Sequence, residues 1–85
     1  MATLRELVKQ SLMEGIKRAN YNIKHIQPAP IKAGLFADRT EIANAERTAL
    51  GIVQRINIRA NKGEIMNREK LEKIIDMESA QSAFF

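Results

Sequence analysis

DRTEIANAERTALGIVQRINIRANKG, residues 38–63, is the stretch on which the fold turns. Asp38 followed three residues later by Glu41 has capping-box spacing, in which the two side chains satisfy backbone N–H groups that a helix N-terminus leaves open. Ile42, Ala45, Ala49, Ile52, Val53 and Ile56 recur at helical intervals and form an apolar stripe, and Gly63 supplies a stop. This pattern predicts a helix from about 38 to 61. Ala43, Asn44, Ala45 and Ala49 are small enough to let another helix approach closely. A competing reading covers residues 51–66. Arg55 to Arg59 alternate polar and apolar, Asn61 to Gly63 carry turn chemistry, and Glu64 to Met66 would return as the second strand of a short hairpin.

Upstream, Thr3 and Glu6 form another capping box. Leu4, Leu7, Val8, Leu12, Ile16, Ala19 and Ile23 follow on one face, which predicts a helix over about 3–24. Gly15 lies near that face at a cost of roughly 1 kcal/mol against alanine. The expectation is a tolerated glycine rather than a point of close backbone approach. Residues 25–37 contain Pro28, Pro30 and Gly34, which forbid a continuous helix, yet this connector carries Ile26, Ile31, Leu35 and Phe36. An apolar connector of this length either folds back over the helices, the preferred reading, or serves as a docking strap. Downstream, Asn67 caps a third helix over about 67–80 with Leu71, Ile74 and Ile75 on its apolar side. Glu69 and Lys73 stand at ion-pair spacing, and Glu72, Asp76 and Glu78 read as solvent-facing. A tail over 81–85 ends in Phe84 and Phe85. The expected fold is a single all-α domain, a helix hairpin plus a third shorter helix, with a proline-containing connector.

With 85 residues the chain forms one domain whose core is marginal without a staple. Cysteine is absent and His25 is the only histidine, so disulfides, thiolate sites and histidine-based zinc sites are excluded. No metal or other cofactor is expected. Partner binding remains as the stabilising device. There is no apolar run of membrane-spanning length and no secretory signal pattern, so the expected setting is cytoplasmic or within a virion.

The net charge of +4 favours acidic protein surfaces or polyanions as partners. Residues 1–37 carry six basic and two acidic side chains, and residues 64–85 carry three and five. Such polarity suits staggered self-association as well as nucleic-acid binding.

No nucleophile, base and orienting group recur at catalytic spacing, and the four glycines form no phosphate loop, so the chain reads as a non-enzyme. His25, between Lys24 and Ile26, reads as a structural or exposed residue. The favoured function is a small structural or adaptor subunit that oligomerises or docks into a larger assembly, such as a bacteriophage virion or accessory protein. Its candidate contact residues are Ile31, Leu35, Phe36, Ile58, Phe84 and Phe85. The alternative is a nucleic-acid-binding regulator that uses Lys17, Arg18, Lys24, Arg47, Arg55, Arg59 and Lys62. Tyr21 and three phenylalanines give that alternative no evident stacking platform. An inhibitor that binds one host protein is a third reading.

Overall fold

A computed structural model describes residues 3–31 and 38–82. The protein is all-α, a helix hairpin plus a third helix. Helix α1 spans Leu4–Arg18, α2 spans Arg39–Asn61 and α3 spans Arg68–Ser82. Each starts at the cap its sequence predicts. Thr3 Oγ1 accepts from the Glu6 N–H at 3.2 Å, Asp38 Oδ1 from the Glu41 N–H at 2.8 Å, and Asn67 Oδ1 from the Lys70 N–H at 2.8 Å. Met66 and Leu71 occupy the staple positions around the last of these caps, and both pack into the core. Residues 51–61 are helical, which decides against the hairpin alternative.

Helix α1 is shorter than its apolar periodicity predicts. It stops at Arg18 because the next residues close it as a Schellman motif: Asn20 N–H donates to the Lys17 carbonyl and Tyr21 N–H to the Ile16 carbonyl. Asn20 and Tyr21 both adopt the left-handed conformation, with φ of 52° and 59°. Asparagine tolerates that region well, whereas an aromatic residue rarely enters it. Tyr21 is held there from outside, since its hydroxyl donates to Glu72 at 3.1 Å and the Arg68 guanidinium lies 4.7 Å from its ring centre. Asn22 then caps a single 3₁₀ turn, Ile23–His25. Ala19 and Ile23 still pack on the core, although they lie outside the helix.

Helix α2 ends by the same geometry on a different residue. Gly63 takes φ of 94°, its N–H donates to the Ala60 carbonyl, and Glu64 N–H donates to the Arg59 carbonyl.

After the 3₁₀ turn, residues 26–31 fold back over α1. Ala29 N–H donates to the Ser11 carbonyl at 3.0 Å, and Ser11 Oγ donates to the Ala29 carbonyl at 2.6 Å, so one residue pair exchanges two hydrogen bonds in a buried place. Gln27 lies one helical turn further along, against Gly15. A Cβ on Gly15 would overlap the Gln27 carbonyl oxygen and sit 3.1 Å from its carbonyl carbon. Gly15 is therefore a point of close backbone approach, which corrects the expectation of a merely tolerated glycine. Residues 26–31 form a strap antiparallel to α1, and Ile26, Ala29 and Ile31 are buried beneath it.

One apolar cluster joins the strap and all three helices. Leu12, Ile16, Ile52, Ile56, Leu71 and Ile75 are its largest fully buried aliphatic side chains. Each is worth about 1.5–3 kcal/mol relative to exposure. Helix α1 packs extensively against both α2 and α3, which touch each other only sparsely. No described helix is long and apolar enough to cross a membrane.

Candidate interaction surface

The charge segregation of the sequence becomes a set of ion pairs within the fold. Asp76 of α3 meets Lys9 at 3.0 Å and Arg5 at 3.7 Å on α1, while Glu78 accepts from Arg55 of α2 at 2.8 Å. Arg59 makes a bidentate pair with Glu64 at 2.5 and 2.7 Å, and Lys70 reaches the same carboxylate at 2.8 Å. The hydrogen bonds from Arg59 and then Lys70 hold the Glu64 carboxyl down to about 2, and Glu64 in turn raises Arg59 above its ordinary value. Lys9, and less strongly Arg5, lower the Asp76 carboxyl. The α3 acids expected to face solvent also pair with cations, Asp76 while remaining exposed. The expected Glu69–Lys73 pair is not formed; Arg68 pairs with Glu72 instead, at 3.4 Å.

These contacts sort the candidate basic residues. Arg55 and Arg59 are committed to Glu78 and Glu64, and Arg18 lies 3.8 Å from Glu14. Lys17, Lys24, Arg47 and Lys62 are exposed, with no carboxylate at ion-pairing distance among the described residues. Lys17 and Lys24 belong to the α1 end of the molecule, and Arg47 and Lys62 to α2.

Of the candidate contact residues, Ile31 is 7% exposed and belongs to the chain's own core, so its apolar surface is already used. Leu35, Phe36, Phe84 and Phe85 lie outside the described residues. Ile58 is 52% exposed on the side of α2 away from the core, and Leu50, eight residues earlier, is 49% exposed. Eight residues are about 2.2 helical turns, which sets these two side chains roughly 80° apart around the axis, on adjoining parts of the exposed side. Ala43, Arg47, Gly51 and Gln54 share that face by the same arithmetic. The sequence reading missed Leu50, although its phase offered the signal: it falls between the stripe residues Ala49 and Ile52 without fitting their spacing. It also missed Ile65 and Met77, which are 78% and 57% exposed.

His25 stands exposed where the strap begins, beside Arg18, Gln27 and Pro28 along a shallow cleft. Among the described residues, no three His, Asp or Glu side chains converge as metal ligands would. Ser79 Oγ, buried in α3, finds no hydrogen-bond partner among them. The arrangement thus offers a surface of half-exposed aliphatic and unpaired basic side chains on a small helical domain. Comparison with known proteins found no matching family model, no similar curated protein and no similar solved structure.

Proposed function

We propose that this chain is a small non-catalytic structural or adaptor subunit, which oligomerises or docks into a larger protein assembly through the outer face of α2. The observation that carries this reading is the Leu50 and Ile58 pair, two large aliphatic side chains about half exposed on a helix whose opposite face is fully buried. Scattered single aliphatics are ordinary on a surface, but a pair two turns apart beside small residues is the pattern of a helix-packing face. Nucleic-acid binding through α2 has weaker support, because Arg55 and Arg59 already neutralise carboxylates of their own chain.

The test is the mass in solution of the purified chain by light scattering, followed at 260 and 280 nm, compared with the double variant Leu50→Asp/Ile58→Asp. A discrete wild-type oligomer that falls to monomer in the variant, with helicity unchanged by circular dichroism, is the expected result. An oligomer that survives both substitutions would remove the α2 face from the proposal. A wild-type monomer that retains nucleic acid until high salt strips it would replace the reading with the nucleic-acid alternative.

A further inference from the structure

Helices α2 and α3 are bridged at their surface by polar pairs, Arg55 with Glu78 and Arg59 with Glu64 and Lys70, where apolar packing would otherwise bring them together. The gap left between them is a groove of about 210 Å³. Its α3 wall consists of Lys70, Lys73, Ile74, Met77, Glu78 and Gln81, with Arg59 contributed by α2. Those α3 positions follow one another at alternating spacings of three and one, so they form a single stripe roughly 16 Å long by helix rise. Small-molecule sites run to about 300–1,000 Å³ and are more enclosed. A groove this narrow instead accepts side chains from an elongated partner.

Chemistry narrows the occupant. Met77 is 57% exposed over the buried Ile74, giving a soft apolar floor of the kind that accommodates helix anchors. The rim carries a small net positive charge, most of it paired within the chain. Glu64 is shared between Arg59 and Lys70, Glu78 is engaged by Arg55, and Lys73 has no carboxylate at ion-pairing distance among the described residues. Resting on the reading of the chain as a docking subunit, we propose that the α2–α3 groove receives an acidic amphipathic helix of a partner protein. Its aliphatic side chains at i, i+3 or i+4, and i+7 lie along Met77 above the edge of Ile74, and a carboxylate meets Lys73.

Two synthetic helical peptides test this on the full chain. Both carry leucines at those anchor positions; one has glutamates elsewhere and the other lysines. Titration is followed by the Met77 methyl resonance and the backbone amides. The acidic peptide shifts Met77 and the amides of residues 70–81, the basic one does not, and Lys73→Glu or Met77→Lys weakens the acidic peptide about tenfold or more at low salt. The proposal is overturned if the acidic peptide leaves the groove unshifted, if both peptides shift it equally, or if the shifts fall on the Leu50–Ile58 face instead. A chain that oligomerises through Leu50 and Ile58 but ignores the acidic peptide would end this proposal and leave the assembly reading standing.

Discussion

The strap and α3 both lie against α1, but they are held there by different physics. The strap is joined by a buried pair of hydrogen bonds between Ser11 and Ala29 and by contact between the Gly15 backbone and the Gln27 carbonyl. Helix α3 buries Leu71, Ile74 and Ile75 in the shared core and borders its neighbours with exposed ion pairs to Lys9, Arg5 and Arg55. Shape and buried hydrogen bonds are sensitive to substitution at the contact and respond little to salt. Exposed ion pairs contribute little each, are screened by salt, and depend on pH. One seam is therefore specific and insensitive to solution conditions, and the other is adjustable.

Gly15→Ala breaks the first seam most severely. Alanine gains roughly 1 kcal/mol of helix propensity, but displacing a packed backbone carbonyl costs more, about 3 kcal/mol, and a net loss of about 2 kcal/mol is expected in urea unfolding. Ser11→Ala removes one of the two exchanged hydrogen bonds and strips the Ala29 carbonyl of a buried donor. A loss of about 1.5 kcal/mol by the same measurement is the expected outcome. Gly51→Ala sharpens the contrast with the opposite sign. A Cβ there would come no nearer than 4.0 Å to the Arg55 guanidinium, so the substitution should stabilise by about 0.7 kcal/mol. Equal destabilisation by both glycine substitutions would show that the strap imposes no special constraint.

The smallest effect belongs to the charged seam. Glu64 has an ordinary value of 4.5 and is held down to about 2 in the fold, so between those limits the unfolded chain binds the proton that the folded chain refuses. Its contribution is complete above about pH 4.5 and is lost as pH falls toward 2. Asp76, also lowered, acts in the same direction below its ordinary 3.8. The acid limb of a stability-versus-pH curve should therefore be shallower in Glu64→Gln than in the wild type, with the difference reduced in concentrated salt. Parallel limbs would show that the Arg59–Glu64–Lys70 cluster adds nothing to stability.

Legibility in the sequence followed the range of the interaction. The caps at Thr3, Asp38 and Asn67 each depend on residues three apart and could be read directly. The Gly63 stop was likewise a local signal. The end of α1 was not legible, because Asn20 and Tyr21 carry no glycine and Tyr21 is held by Arg68 and Glu72 from α3. The role of Gly15 depends on Gln27, twelve residues away, which reaches it only through the fold of the strap. Charge segregation was visible segment by segment, but its resolution into pairs such as Lys9–Asp76 needed tertiary register. On the candidate surface Ile58 was readable as an aliphatic side chain within a basic face. Leu50, next to the apolar stripe in sequence, was hidden by its neighbours. Ile31 read as a contact residue because nothing local distinguishes an apolar connector that docks outward from one that folds inward.

The difference between the two seams is tested most directly by native-state hydrogen exchange of the wild-type chain at low and at high ionic strength. The Ala29 amide, bonded to the Ser11 carbonyl, is expected to be as protected as the core amides of α1 at both ionic strengths, while the amides of α3 lose a small part of their protection as salt rises. Ala29 exchanging at the rate of a free chain, or α3 protection that ignores salt, would contradict that expectation.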